Sequence, residues 1–130
     1  MAQDQRHLNA QVPIDGVQTG GFRFGGNHRG MSHQGSLMGL PGRTQAWDAP
    51  DTAFDMTADH LAPIFRAAED LDVLVIGTGK DIAMLPDEVR NALREAGLGV
   101  EVSTTRAAVR TYNILLSEDR RVAAALMVLT

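Results

Sequence analysis

The sequence contains no cysteine. Disulfides, zinc–thiolate centres and a cysteine nucleophile are thereby excluded. Lysine is nearly as scarce: Lys80 stands alone, and the other basic residues are all arginine. No run of basic residues is longer than Arg120-Arg121, so there is no polybasic membrane anchor. No stretch approaches the ~18 apolar residues of a membrane-spanning helix, and the chain reads as something other than an integral membrane protein. Positive charge is also short overall. Twelve basic against sixteen acidic residues leave a formal net charge of −4, the wrong sign for general nucleic-acid binding. Met1 to Gln11 is polar and lacks the apolar core of a secretory signal. The expected address is the cytoplasm, or an organelle matrix if the chain is a processed form.

What is present suits one folded unit. At 130 residues, with 44% hydrophobic and 22% charged residues, the chain should bury roughly two thirds of its unfolded surface. Residues 1–11 are expected to form a disordered N-terminal segment and residues 12–130 a single domain. Nine of the thirteen glycines precede residue 43, a density that helices do not tolerate and that short strands and turns do. Val12–Ile14 reads as a strand ending at an Asp15-Gly16 turn. Phe22-Arg23-Phe24 alternates, with both rings on one face and Arg23 on the other. Ser36–Leu40 reads as a strand closed by Pro41-Gly42, with Arg43–Trp47 next. Residues 12–48 are therefore expected to form an antiparallel meander.

The second half has a different period. Leu61, Ile64, Phe65 and Ala68 share a helical face. Thr57 is a candidate N-cap, but Pro63 would then lie deep in the first turns, so the helix either starts near Pro63 or begins irregularly. Leu71–Ile76 has the composition of a strand buried on both faces. Pro86-Asp87 open a second helix with Val89, Ala92, Leu93 and Ala96 as its stripe, and Gly97 closes it. Gly99–Ser103 reads as a strand. Thr104 or Thr105 caps a third helix running to about Ser117, and Val122–Leu129 is the last strand, its alanines calling for a closely packed neighbour. The fold class is α/β: a single three-layer domain with a central mixed sheet, an N-terminal β-meander, then α-β-α-β-α-β.

Two strand ends attract attention, because open α/β sheets bind ligands beyond the carboxyl ends of their strands. One is Gly77-Thr78-Gly79-Lys80, the other Ser103-Thr104-Thr105 leading to Arg110-Thr111-Tyr112-Asn113. Strict spacing rejects known fingerprints at the first. A P-loop needs Gly at 74 and Ser or Thr at 81, where this chain has Leu and Asp, and position 82 is Ile where a dinucleotide motif needs Gly. The loop is either a tight turn or a contact for a small anion. The second end exposes amides at a helix start, which suits an anion or plain capping. Arg110 and Asn113 share a face with Arg106. Tyr112 suits the core with its hydroxyl tethered. His7, His28, His33 and His60 form no metal-ligand spacing, and no Ser lies in a nucleophile elbow. No catalytic residue, metal or cofactor is assigned.

The residues Val73-Leu74-Val75-Ile76-Gly77-Thr78-Gly79, Thr105, Arg110-Thr111-Tyr112-Asn113, Glu118, Arg120 and Val122–Leu126, with Gly35-Ser36-Leu37, Pro41 and Trp47 before them, together resemble the Mth938-type domain family. The resemblance spans about residues 12–130. That family includes a mitochondrial respiratory complex I assembly factor and an adipogenesis-associated protein. It implies a three-layer α/β fold and work through protein partners, with no established catalytic activity. Many relatives carry Cys where this chain has Val109, so thiol chemistry there cannot be general to the family.

Three readings follow. The chain is a non-enzymatic interaction or assembly protein with protein partners. Alternatively it is a small-molecule or anion binder, or an enzyme, that uses Gly77–Lys80 and Thr105–Asn113, with Arg110 holding a carboxylate or phosphate. Or the motif residues are structural, with Thr105 capping and Arg110 pairing with an acid such as Glu118. The first is favoured, with the third true in part.

Overall fold

The strand that the continuous apolar run of Leu71–Ile76 calls for lies deep inside the computed structural model, which describes residues 7–130. It is one of nine: β1 (His7–Leu8), β2 (Ile14–Gln18), β3 (Gly21–Phe24), β4 (Ser32–Gln34), β5 (Leu37–Leu40), β6 (Arg43–Ala46), β7 (Val73–Gly77), β8 (Gly99–Ser103) and β9 (Val122–Leu126). The helices are α1 (Ala62–Arg66), α2 (Asp87–Glu95) and α3 (Thr105–Ser117). Six strands make the central sheet in the order β1-β6-β5-β9-β7-β8. β7 and β9 run parallel, as do β7 and β8, while β5 joins β9 antiparallel. The sheet is therefore mixed.

Alternation along the central strands sorts the core into two layers. Leu74 and Ile76 of β7, with Ala123 and Ala125 of β9, face one side and pack with Leu61, Ile64, Val89 and Leu93. Val75 and Ala124 face the other and pack with Ala108, Val109 and Tyr112 of α3. All three alanines of β9 are fully buried, as close packing of a neighbour requires. Among the described residues no helix is long and apolar enough to cross a membrane.

The glycine-rich half forms two structures rather than one meander. β5 and β6 extend the main sheet, whereas β2-β3-β4 make a separate three-stranded sheet over α3. The expected turn at Asp15-Gly16 is instead strand: the β2–β3 register shifts between Ile14 and Gly16, a bulge that absorbs the extra residue, and the chain turns at Gly20 with φ +89°. β4 had no clear signal in the sequence. Phe22 and Phe24 are buried and Arg23 is exposed, as their alternation predicts. The strand expected to reach Leu129 ends at Leu126, and Leu129 bridges back to Thr19 instead.

Pro63 settles the entry to α1. A turn of 3-10 helix covers Ala58–Leu61, with the Thr57 N–H donating to His60 Nδ1 at 2.9 Å. α1 then begins at Ala62, so Pro63 falls at the start, where a missing N–H is harmless. His7–Leu8 pair with β6; residues 1–6, the first part of the 1–11 segment expected to be disordered, lie outside the described residues.

Candidate functional site

Parallel pairing of β7 with β8 places Gly77 opposite Ser103, so the two nominated loops open on one sheet edge. Their polar groups then face each other. The buried Thr105 hydroxyl donates to the Met127 carbonyl at 2.6 Å and accepts from the Gly79 N–H at 2.9 Å. The Thr105 N–H donates to the Gly79 carbonyl and the Thr78 N–H to the Ser103 carbonyl, each at 2.9 Å. The Thr78 hydroxyl donates to the Asp81 carbonyl and accepts from the Ala83 N–H. The Thr78 and Gly79 amides, which could cradle an anion in a glycine-rich loop, are thus already bonded. Gly77 is there for space: a Cβ would stand 2.7 Å from Thr105 Cα. Lys80 is exposed. Thr104, rather than Thr105, is the N-cap of α3, accepting from the Ala107 N–H at 3.3 Å.

The Arg110–Asn113 segment points in several directions, as successive residues of a helix must. Tyr112 enters the core. Its hydroxyl donates to the Val12 carbonyl at 3.1 Å, and its ring end lies against Gly39 of β5, where a Cβ would come within 2.6 Å of Oη. Burial pushes the phenol well above its ordinary pKa, an effect that the Gln11 side chain only partly offsets. Asn113 acts as a stand-in for a neighbouring strand. Its Oδ1 accepts from the Ile14 N–H at 2.9 Å and its Nδ2 donates to the Ile14 carbonyl at 2.7 Å, which fastens β2 to α3. Thr111 is half-buried.

Arg110 is exposed and does not join the Gly77–Lys80 loop. It lines a concavity with Arg23, Arg106 and residues of β2. It makes no ion pair with Glu118. Eight helical residues separate the two by about 12 Å along the axis, and the ion pairs among the described residues are Arg90–Asp87 and Arg121–Asp72. The nine nominated residues therefore divide. Gly77, Thr78 and Gly79 gather around Thr105. Tyr112 and Asn113 hold residues 12 and 14. Arg110 faces the small sheet, and Lys80 and Thr111 join none of these groups.

A different surface escaped the sequence reading. Ile82 and Met84, between β7 and α2, are 65% and 71% exposed. With Ala83, Leu85, Arg90 and Val102 they line a shallow hollow of about 250 Å³. It adjoins β8, the terminal strand of the sheet. The signal was two large apolar residues, Ile82 and Met84, in a segment with no helical or strand period. No group of His, Asp or Glu suited to a metal occurs among the described residues.

The family model described as "Protein of unknown function (DUF498/DUF598)" matches residues 14–127. A Danio rerio protein named NADH dehydrogenase (ubiquinone) 1 alpha subcomplex assembly factor 3 is 32% identical over 123 residues, covering 95% of this chain and 68% of its own length. The crystal structure of an outer membrane protein from Bartonella henselae superposes with a TM-score of 0.84 at 36% identity, covering 94% of this chain and 98% of that one. The solution structure of a Mth938-like domain from Bordetella pertussis does so with a TM-score of 0.73 at 28% identity, covering 92% and 87%.

Proposed function

The chain belongs to the DUF498/DUF598 family of Mth938-like domains, and from that premise we infer that it is a non-enzymatic interaction protein of the assembly-factor type. The observation that carries this reading is how the motif's polar groups are used. Thr105, Tyr112, Asn113 and the Gly77–Gly79 backbone are bonded to one another or to the strands they hold in place. Their hydroxyls donate to backbone carbonyls, and none is hydrogen-bonded to a histidine or carboxylate. The exposed apolar residues Ile82 and Met84 lie instead beside an edge strand, an arrangement suited to a protein contact. Similarity to a complex I assembly factor supports the same reading.

The partner is expected to be a different protein rather than a second copy laid strand to strand. Antiparallel self-pairing of β8 about its centre would put Glu101 opposite Glu101, and like charges directly opposite are unfavourable. The test is affinity capture from native lysate with the parent chain and with Ile82→Ser/Met84→Ser as baits. A partner retained in stoichiometric amount by the parent and lost by the variant, at unchanged thermal stability, is the expected result. Capture of no partner above background, or equal capture by both baits, refutes the assignment of this surface.

A further inference from the structure

The net charge of −4 makes one feature of the surface stand out. Arg23, Arg106 and Arg110 converge on a concavity of about 390 Å³ between α3 and the β2–β3 hairpin. Arg23 also lines an adjoining hollow with Arg29 and Ser32. Four guanidinium groups thus follow one track across the small sheet, with Asp15 as the only carboxylate lining either hollow. None of the four arginines is in an ion pair among the described residues. The track is also held in shape. The Arg106 Nη1 donates to the Val17 carbonyl at 2.9 Å. The Arg23 guanidinium lies against Gly16, where a Cβ would come within 2.6 Å of its Nη2.

We propose that this track docks an acidic, extended segment of a partner protein. The proposal rests on the interaction reading above and adds a second contact to it. The chemistry follows from the side chains: guanidinium forks bind carboxylates bidentately and retain their charge at any physiological pH. The shape favours a segment over a single small anion. The two hollows adjoin, sharing Arg23 and Asp15, and both are open, so a chain bearing several carboxylates can engage successive arginines while remaining in water.

The test measures binding of a fluorescein-labelled Glu-rich peptide by fluorescence anisotropy at low ionic strength. Arg23→Gln/Arg110→Gln is expected to weaken binding by roughly tenfold or more. Gly16→Ala separates geometry from net charge. It preserves every charge and meets only the flexible end of Arg23, so the fold tolerates it while the guanidinium is displaced, and several-fold weaker binding is expected. Arg66→Gln/Arg94→Gln, on α1 and α2, is expected to leave binding within about twofold, because its lost charges lie outside the track. Equal losses in this control variant and the track variants, or no binding by the parent, overturn the proposal. Tighter binding of inorganic pyrophosphate than of the peptide also overturns it, in favour of a free polyanion. Absence of peptide binding beside intact, Ile82/Met84-dependent partner capture refutes the track and leaves the interaction reading standing. Specific peptide binding without any captured partner refutes the Ile82–Met84 surface instead.

Discussion

Gly39→Ala is the sharpest single perturbation of this fold. Gly39 sits in β5 between Thr44 of β6 and Ala124 of β9, and the added methyl would meet Tyr112 Oη at 2.6 Å and Cζ at 3.1 Å. Tyr112 is 1% exposed, so its ring has no free space into which to retreat. Moving it strains the core by about 1–3 kcal/mol and lengthens the hydroxyl's bond to Val12, worth about 1 kcal/mol. Lower entropy of the unfolded chain offsets about 0.4–1 kcal/mol of this. The net expectation is a loss of about 2 kcal/mol, or about 7–8 °C in Tm for a chain of this length. Urea denaturation of the parent, Gly39→Ala, Tyr112→Phe and the double variant checks it. Removing Oη removes the closest clash, so in the Tyr112→Phe background the alanine should cost less than about 1 kcal/mol, a coupling of about 1 kcal/mol or more. Equal cost in both backgrounds, or a neutral Gly39→Ala, refutes the packing argument.

Other expectations follow from the same hydrogen bonds. Asn113→Ala removes both bonds to Ile14 and should cost about 2 kcal/mol, with amide exchange accelerating at Ile14 before it does in β7. Asn113→Asp should not rescue it, because a carboxylate oxygen would then face the Ile14 carbonyl. Thr105→Val leaves the Gly79 N–H and the Met127 carbonyl without their hydroxyl partner and should cost about 2–4 kcal/mol, whereas Thr105→Ser should stay within about 1 kcal/mol of the parent in the same urea assay. Tyr112 is the only tyrosine, and its folded-state pKa is raised above the ordinary 10.0. Its phenol stays protonated in the folded chain where the unfolded chain ionises. Its contribution is complete below that value and declines as pH rises above it, so the urea midpoint should fall between about pH 9 and about pH 11, and fall less in Tyr112→Phe.

Much of the architecture could be read directly from local pattern. The stripe Val89, Ala92, Leu93 and Ala96 between Pro86 and Gly97 defines α2 because both its period and its end signals lie within a dozen residues. The continuous apolar run at Leu71–Ile76 announced a strand covered on both faces, and β7 is that strand. The glycine-rich half was less readable. Asp15-Gly16 has turn composition, but pairing with β3 holds it extended and turns the same glycine into a bulge under Arg23. Tyr112 reads from sequence as a core residue, yet nothing near it in the chain indicates that Gly39 must lack a side chain.

Composition and local periodicity were enough for the alternation of helices and strands, the buried face of each, the absence of thiol and P-loop chemistry, and the motif on which the family resemblance rests. The contacts that the motif residues make depend on long-range packing. Arg106 and Asn113 lie on one helix face in any reading, but their partners come from β2, 89 and 99 residues earlier, as the bonds from Arg106 to Val17 and from Asn113 to Ile14 show. Periodicity reports which way a side chain points along its own element. It is silent about which distant strand will be packed there, because that depends on sheet order and register, which the whole core sets together.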